Sequence, residues 1–278
     1  MTNTHINARK ILADHNLYPK KNLGQNFLID GHVLDKIVAA ANLSPNDLAI
    51  EVGPGLGVLT TELARAAGKV VAIEIDTSLA TILRDAAPPN VEIINQDILK
   101  IDLSKIISQS GFSRIKMVAN LPYYITTPII FSVLENNLPV DAMVVMVQKE
   151  VADRMLASPS TKAYGLLTLS IAYYGKASLV ANVPPNCFFP RPDVHSAVVK
   201  IDISSRNNIN RKIFFPIIRA AFANRRKTLQ NCLSSSADLD LTKDAAAKLI
   251  AAAGLPESVR GEALAFDDFA RLATTYQT

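Results

Sequence analysis

The sequence is poor in the features that mark membrane, secreted and metal-binding proteins. No apolar run reaches the roughly 18 residues that a membrane-spanning helix needs, and residues 1–10 lack the apolar core of a signal peptide. The two cysteines, Cys187 and Cys232, lie far apart without metal-type spacing, which predicts reduced thiols in a cytoplasmic protein. The four histidines are scattered and form no ligand pair, so we expect no metal. The 278 residues, 49% hydrophobic and 19% charged, predict a soluble protein with one large domain and a small second one.

Acidic residues are missing from one stretch near the C-terminus. Residues 1–204 carry 18 Lys+Arg and 18 Asp+Glu, whereas residues 205–278 carry 11 and 7, so the whole net charge of +4 lies in the last quarter (11 − 7 = +4). Between Ile203 and Ala237 there is no acid at all. A solvated helix face usually carries both signs, so this run favours contact with a polyanion, with a solvated face as the alternative. Its basic residues are Arg206, Arg211, Lys212, Arg219, Arg225, Arg226 and Lys227.

The first 204 residues alternate between short β-type runs and helix-length segments. Such alternation predicts an α/β domain whose mostly parallel sheet has helices on both faces. A polar N-terminal arm with basic pairs precedes it (residues 1–22), and Asp30 is a candidate N-cap for a helix through about Ala41. A linker at 204–210 and a small helical domain at 205–278 follow, with Gly254 at a helix stop. The predicted strands are 48–52, 70–75, 91–95, 115–119, 142–147, 178–183 and 197–203, and helices include 56–67, 78–86, 128–136 and 166–174.

Four polar or glycine positions stand at or just after the ends of successive predicted strands at nearly constant spacing. Gly53, Glu74, Asp97 and Asn120 are 21, 23 and 23 residues apart, about one strand-helix unit each. In an open parallel sheet all four emerge at the same carboxyl edge, where ligands bind. The spacing therefore predicts one shared site.

Two phosphate-binding patterns are missing from the glycine-rich loop after the first strand. A dinucleotide fingerprint needs a third glycine where Val58 stands, and a P-loop needs Gly-Lys-Ser/Thr. The glycines let the backbone turn tightly against a ligand. An acid about 20 residues further on, here Glu74, suits a ribose diol, and Asp97 suits an adenine amino group. Gly-x-Gly-x-Gly with a following acid thus favours an adenosine ligand without pyrophosphate, namely S-adenosyl-L-methionine.

The stretch Asn120-Leu121-Pro122-Tyr123 combines an amide, a backbone held extended by the following proline, and an aromatic ring. These groups can hold a flat heterocycle by its amino group. The amide oxygen and a backbone carbonyl, of Leu121 or Pro122, would accept from the amino nitrogen. Taken alone, the tetrapeptide also fits a strand that runs into a proline turn with a half-buried Tyr123.

Together these motifs resemble a known family. Residues 51–57, Glu74, Asp97 and 120–123 are similar to successive motifs of class I methyltransferases that act on adenine amino groups. The DNA-adenine enzymes usually have two prolines in the last motif, whereas this chain has Leu121 before Pro122. With five further segments the sequence resembles the ribosomal RNA adenine dimethyltransferases over nearly its whole length, and its tail resembles their bacterial small-subunit branch. Those segments are 25–28, 148–152, 188–197, 222–229 and 260–262.

The resemblance implies roles for particular residues. Tyr123 and Phe188 would sandwich the extruded base, although Phe188 also fits a core aromatic beside Phe189, and residues 25–26 also fit a plain loop. The implied catalytic residues are Asn120, Leu121, Pro122, Tyr123 and Phe188. The implied cofactor-binding residues are Gln25, Asn26, Leu28, Gly53, Gly55, Glu74, Ile75, Asp97, Ile98 and Asn120. The RNA-binding candidates are Lys20, Lys21, Arg225, Arg226 and Lys227.

The implied reaction forms N6,N6-dimethyladenosine at two adjacent adenosines in a hairpin near the 3′ end of 16S rRNA, with S-adenosyl-L-homocysteine as the product of the donor. The expected partner is the immature small ribosomal subunit, and a monomer is expected. Departures from the family pattern are few: Ala265 and Phe266 weaken a helix cap, and Arg191 and Asp193 stand at variable positions. Two alternatives remain open: a large-subunit (23S) rRNA adenine methyltransferase, and an RNA-binding assembly or transcription factor of the same fold. A nicotinamide oxidoreductase is disfavoured by Val58 and by the Asn-Leu-Pro-Tyr stretch.

Overall fold

The computed structural model describes residues 7–136, 138–203 and 208–276. The first six residues of the predicted arm, residues 204–207 of the predicted linker and Arg206 of the basic run lie outside these ranges. Within them, no helix has the length and apolar character needed to cross a membrane. No group of three or more His, Cys, Asp or Glu side chains in the same ranges could hold a metal ion.

Strands and α-helices alternate through the first two thirds of the chain, and helices follow. The strands are β1 (Phe27–Leu28), β2 (Asp47–Val52), β3 (Lys69–Glu74), β4 (Val91–Asn95), β5 (Arg114–Asn120), β6 (Ala142–Gln148), β7 (Gly175–Val183), β8 (Phe188–Phe189) and β9 (Ser196–Ile203). The helices are α1 (Ala8–Asp14), α2 (Gly31–Ala41), α3 (Val58–Ala66), α4 (Thr77–Ala86), α5 (Leu103–Ser110), α6 (Thr126–Glu135), α7 (Lys149–Met155), α8 (Leu166–Tyr174), α9 (Arg211–Ala223), α10 (Leu229–Ser234), α11 (Lys243–Ala252) and α12 (Phe266–Thr275).

Seven of these strands form one sheet in the order β4-β3-β2-β5-β6-β9-β7. The first five are mutually parallel, and β9 runs antiparallel to β6, with Val145 opposite Val199. The predicted fold class, a mostly parallel α/β sheet with a helical addition, is confirmed. All seven predicted strands are present, with ends that shift by at most three residues, as at the start of β7.

The centre of the sheet is formed by strands that are buried on both faces. All six residues of β2 are buried because helices cover the strand from both sides. Helix α2 begins as predicted at Asp30, whose carboxylate accepts a hydrogen bond of 3.0 Å from the Val33 N–H. It ends at Asn42, whose φ of 47° is left-handed. Its inward face, including Ile37, joins a core cluster with Leu63 of α3.

The chain divides into two compact units: Met1–Ala152 with Ser178–Ile203, and Asp153–Ala177 with Ser204–Thr278. The boundary predicted at residue 204 therefore differs from this division for residues 153–177. In the second unit, α8 and the loop before it pack by aromatic contacts onto the C-terminal helices. The Tyr164 and Phe222 rings are 5.7 Å apart and the Tyr173 and Phe214 rings 5.0 Å apart.

Two very short strands escaped prediction. Strands β1 and β8 pair antiparallel, with Phe27 opposite Phe189 and Leu28 opposite Phe188. They bring the N-terminal segment beside the loop that precedes β9. Helix α1 was not predicted within the arm either, although its Ala8 and Leu12 are buried.

A buried ion pair joins β2 and β5 at the amino edge of the sheet. The Asp47 carboxylate, fully buried, accepts from the Lys116 ammonium at 3.1 Å and pairs with Arg114 at 2.9 Å. Lys116, 7% exposed, also donates to the Asn42 carbonyl. Burial opposes ionisation of Asp47, but hydrogen bonds from Lys116 and Ser44 outweigh it and hold the Asp47 pKa below its ordinary value of 3.8.

Replacing the buried cation should therefore destabilise the sheet. We expect Lys116→Met to lower the free energy of unfolding at pH 7 by about 2–3 kcal/mol, because a buried carboxylate loses a charged partner. A carboxyl with a lowered folded-state pKa stabilises above its ordinary pKa, and this contribution is lost as pH falls through the lowered value. The difference between wild type and variant should therefore shrink below about pH 3.8. Denaturant unfolding at pH 7 and at a pH below 3.8 measures this difference.

Asp47→Asn combined with Lys116→Met should lower the free energy of unfolding by less than the sum of the losses in the two single variants, and strict additivity would contradict the coupling.

Candidate active site

A cleft lies at the carboxyl ends of β2, β3, β4 and β5. The order of the strands reverses there, because β2 has β3 on one side and β5 on the other. Open α/β sheets bind ligands at this position. The cleft contains about 1040 Å³ of empty space, its open mouth included, comparable to the larger small-molecule sites. Gly53, Glu74, Asp97 and Asn120, the four strand-end residues, all line it.

The glycine turn after β2 forms one wall of the cleft. Gly53 and Gly55 have φ values of 67° and 59°, a region that other residues rarely adopt. A Cβ atom on Gly55 would lie 3.0 Å from the Phe27 ring, and one on Gly53 would lie 3.7 Å from Pro122. The backbone of the glycine turn thus passes between Phe27 and Pro122, and a side chain at Gly55 would crowd the Phe27 ring.

The Glu74 carboxylate is held at the end of β3 by two backbone groups. Its Oε2 accepts from the Gly55 N–H at 3.1 Å, and its Oε1 accepts from the Asp76 N–H at 2.8 Å. Burial raises the pKa of Glu74, and the Asp76 charge adds to this effect, while the two N–H groups oppose it. Glu74 is therefore a fixed acceptor on the cleft wall.

A second acid, Glu51, lies deeper beneath the glycine turn. It is 1% exposed and lines the cleft, and its Oε2 is buried without a hydrogen-bond partner among the described residues. Burial, together with the Glu74 charge, raises the pKa of Glu51 to about 8. Glu51 lies within the glycine-rich motif 51–57, but its residue type and position alone predicted no role for it. The available signal was an acid inside the predicted strand 48–52, whose other residues are apolar.

Asp97 and two isoleucines complete the wall formed by β3 and β4. Asp97 is partly exposed, and its Oδ1 accepts from the Leu99 N–H at 3.0 Å. Ile75 is 45% exposed at the cleft, whereas Ile98 is buried in its wall. This part of the cleft combines an acceptor with apolar surface, as a heterocycle with an amino group requires.

The stretch Asn120–Tyr123, which begins with the last residue of β5, presents the predicted amide, carbonyls and ring. Asn120 Nδ2 donates to the Asn26 carbonyl at 3.1 Å, and no described residue donates to its Oδ1. The Pro122 carbonyl already accepts from the Ile125 N–H at 3.2 Å and the Thr126 hydroxyl at 3.0 Å. No described residue donates to the Leu121 carbonyl. Of the two carbonyls left open by the sequence, that of Leu121 is therefore the one available to a ligand.

Tyr123 is held at both ends of its side chain. Its hydroxyl lies 2.6 Å from the Ser196 hydroxyl, and Ser196 is fully buried at the start of β9. Burial raises the pKa of Tyr123. Ser196 lies within the 188–197 segment, and no role was predicted for it. Only the fold reveals the contact, because it brings the stretch after β5 beside the start of β9.

The residues predicted upstream of the sheet also line the cleft. Gln25, Asn26 and Leu28 lie along it, and Gln25 Nε2 donates to Asp76 Oδ2 at 2.9 Å. Lys20, predicted as a phosphate contact, pairs with Asp76 at 2.8 Å. Lys21 is exposed.

Phe188 lies elsewhere than the other predicted catalytic residues. It is 3% exposed within an apolar cluster that includes Leu28, and it does not line the cleft. Its register opposite Leu28 in the two-stranded sheet directs the ring into that core. A role in stacking requires the ring to become accessible when a base enters.

The three basic candidates in the second unit differ from one another. Arg225 pairs with Glu262 at 3.0 Å and donates to the Lys162 carbonyl at 2.7 Å, so its guanidinium serves as an internal clamp. Arg226 and Lys227 are exposed. Arg225 therefore has partners within the second unit, whereas Arg226 and Lys227 face solvent.

The fold and the cleft define a class of protein. A mostly parallel seven-stranded sheet, a glycine turn after one central strand, a carboxylate after the next, and an Asn-Leu-Pro-Tyr stretch at the strand-order reversal together characterise a class I methyltransferase.

Comparison with known proteins narrows this class to a family. Residues 16–273 match the model of the ribosomal RNA adenine dimethylase family. The ribosomal RNA small subunit methyltransferase A of Lachnoclostridium phytofermentans is 46% identical over 95% of this chain and 93% of its own, and that of Geobacillus thermodenitrificans is 47% identical over 96% and 94%. The chain therefore belongs to the ribosomal RNA adenine dimethylase family.

Solved structures agree with this assignment. A dimethyladenosine transferase from Plasmodium falciparum superposes with a TM-score of 0.77 at 26% identity, covering 90% of this chain and 97% of that one. The 23S rRNA methyltransferase ErmE has the same fold, with a TM-score of 0.71 at 24% identity over 91% and 100% of the two chains.

The buried carboxyl of Glu51 generates a prediction about stability and pH. A group whose pKa is raised in the folded state favours folding below its ordinary pKa of 4.5, and this contribution is lost as pH rises through about 8. Glu51→Gln should therefore remove part of the decline in melting temperature between pH 5 and pH 8.5. Thermal unfolding of the ligand-free protein at several pH values measures this. Glu257→Gln, at an exposed position, is the matched control; equal pH profiles for both variants would contradict the raised pKa.

Proposed function

We propose that this protein transfers methyl groups from S-adenosylmethionine to the N6 atoms of two adjacent adenosines in a hairpin near the 3′ end of 16S rRNA, giving N6,N6-dimethyladenosine during assembly of the small ribosomal subunit. The observation that carries the proposal is a pair of acceptors at the end of β5, Asn120 Oδ1 and the Leu121 carbonyl, to which no described residue donates, at the rim of a cleft suited to the methyl donor.

The cleft fits S-adenosylmethionine, the cofactor of this reaction, in charge and in shape. When bound, the cofactor supplies a methyl group on a positively charged sulfonium sulfur. Glu74 and Asp97 place carboxyl groups on the cleft wall, which favour a cationic ligand, and Glu51 lies beneath them. We assign the ribose to Glu74 and the adenine to Asp97 and Ile98, while Gly53 and Gly55 leave room for close approach of the backbone.

Asn120 and Leu121 act on the nucleophile. The amino nitrogen of adenine is weakly nucleophilic because its lone pair is delocalised into the ring. Two acceptors that bind its N–H groups favour localisation of the pair and orient it, an electrostatic and positional effect that requires no strong base. The bond from Asn120 Nδ2 to the Asn26 carbonyl fixes which end of the amide faces the substrate.

Tyr123 supplies a surface for the extruded base. Stacking on an aromatic ring contributes roughly 1–3 kcal/mol per base, and the Ser196 contact fixes the Tyr123 hydroxyl. Phe188 completes the sandwich in this proposal only after it leaves its buried position.

The choice of the small subunit rests on whole-length similarity. The relatives at 46–47% identity are named for the small subunit and cover 95–96% of this chain, whereas ErmE, named for 23S rRNA, shares the fold at 24% identity. We propose the immature small subunit as partner, with a monomeric enzyme acting in the cytoplasm. Arg226 and Lys227 are assigned to phosphate contacts of the second unit, and Lys21 to such a contact in the first.

The catalytic role of Asn120 has a direct test. We expect Asn120→Ala to lower kcat for methyl transfer about 100-fold or more, since it removes an acceptor that acts on the reacting nitrogen. Affinity for S-adenosylhomocysteine should change far less. The assay uses labelled S-adenosylmethionine and small subunits isolated before methylation, with the modified nucleosides mapped afterward.

Asn46→Ala, an exposed asparagine just before β2, is the control and should retain full activity. Unchanged turnover in Asn120→Ala would remove this residue from catalysis. Transfer by the wild type to large subunits but not to small subunits would favour the 23S alternative, and absence of transfer to either would favour a role as an RNA-binding factor.

The exposed basic pair has its own prediction. Arg226→Gln with Lys227→Gln should reduce the number of counterions released on binding to small-subunit RNA by about two, because each exposed cation can neutralise one phosphate. The slope of log affinity against log salt concentration should become less steep accordingly. Binding of S-adenosylhomocysteine should be unaffected. Filter binding at several salt concentrations measures the slope. Lys243→Gln with Lys248→Gln makes the same charge change at exposed positions outside the acid-free run; an equal reduction in both double variants would indicate a general charge effect.

A further inference from the structure

The N-terminal segment, residues 8–29, packs over the methyl-donor cleft. Leu12 of α1 is buried in an apolar cluster with Phe27 and Leu79. Phe27 and Leu79 also line the cleft, so α1 lies against the outer side of its wall. The Arg9 guanidinium lies over the Phe189 ring, 4.9 Å from its centre. Apolar packing thus places the segment, but it supplies no polar contact to fix the end of the segment nearest the ligand.

That polar contact is made by Asp76, at the N-terminus of α4. Its side chain is 3% exposed, and its Oδ1 accepts from the Lys20 ammonium at 2.8 Å. Its Oδ2 accepts from Gln25 Nε2 at 2.9 Å, while Gln25 Oε1 accepts from the Lys20 N–H at 2.7 Å. Oδ1 also accepts from the Ser78 N–H at 3.1 Å and so caps α4. A buried carboxylate requires such partners, and Lys20 is its only cationic partner among the described residues.

Both ends of this network reach the residues assigned to the cofactor and to the base. The Asp76 N–H donates to Glu74 Oε1 at 2.8 Å. Asn26, which directly follows Gln25, accepts from Asn120 through its carbonyl at 3.1 Å. Release of the segment would therefore disturb the partners of Glu74 and Asn120 together.

We propose that Lys20 and Asp76 form a latch that holds the N-terminal segment closed over the methyl-donor cleft, and that both are positioning residues for cofactor binding. The proposal rests on the proposed function, because the latch acts on the S-adenosylmethionine site. It gives Lys20 a role different from the phosphate contact that its basic neighbourhood predicts. Opening of the latch lets the spent cofactor leave, and closure orders the segment around its replacement.

The test is a double-mutant cycle on the full chain, with S-adenosylhomocysteine as the probe in calorimetry. Lys20→Met removes the cation, and Asp76→Asn removes the carboxylate charge while retaining an oxygen for the Ser78 N–H. Each single variant should weaken binding about three- to tenfold, the range for a partly exposed ion pair with one buried partner. The double variant should bind no more weakly than the weaker single variant. Lys10→Met makes the same charge change at an exposed position of the segment and is the matched control.

Two further readouts separate a latch from general destabilisation. Hydrogen exchange of residues 8–29 in the free protein should be faster in Lys20→Met than in Lys10→Met, while exchange in β2 and β5 stays unchanged. Multiplicative losses in the double variant, or equal behaviour of Lys20→Met and Lys10→Met, would overturn the latch. So would unchanged cofactor affinity with a reduced salt slope for RNA binding in Lys20→Met, which would return Lys20 to a phosphate contact. Failure of the wild type to bind S-adenosylhomocysteine would instead refute the proposed function.

Discussion

A circuit of hydrogen bonds around the cleft is the constraint on which the site depends. The Gly55 N–H binds one oxygen of Glu74, and the other oxygen binds the Asp76 N–H. The Asp76 carboxylate binds Gln25, and the next residue, Asn26, binds Asn120. The circuit therefore joins the glycine turn, the end of β3, the N-terminal segment and the end of β5. Because each link uses a directional donor and acceptor, a shift in one element is transmitted to the others, and the positions of the groups around the ligand are fixed jointly.

The charges of the cleft complement this geometry. Glu51 and Glu74 lie close together in a buried setting, and the pKa of each is raised. Burial of two neighbouring carboxyls is unfavourable in the free protein unless one keeps its proton. A ligand that brings positive charge changes this balance in its own favour. With the pKa of Glu51 raised to about 8, this carboxyl keeps its proton at neutral pH, and a cationic ligand near it favours release of that proton.

Much of this arrangement follows from the sequence, and the remainder requires tertiary contacts. The strand-end spacing of Gly53, Glu74, Asp97 and Asn120 predicted a common rim, because parallel strands joined by regular crossovers leave few alternatives for such residues. Strands β1 and β8 could not be predicted, since two-residue strands have no periodicity and their pairing spans about 160 positions of the chain. For the same reason the sequence did not reveal that Lys20 and Arg225 have internal partners, that residues 153–177 group with the C-terminal helices, or that Phe188 is buried.

The tether between Tyr123 and Ser196 has a consequence for the cost of substrate capture. An aromatic side chain attached only at its Cβ atom samples several orientations, and a heterocycle that stacks on it must select one. Here the phenol oxygen is anchored as well, to a hydroxyl inside the protein. The direction of the long axis of the ring is therefore set when the polypeptide folds, and an arriving nucleotide meets a ring that can only rotate about that axis. The side-chain entropy of Tyr123 that this contact removes is lost when the protein folds, and not each time a substrate binds.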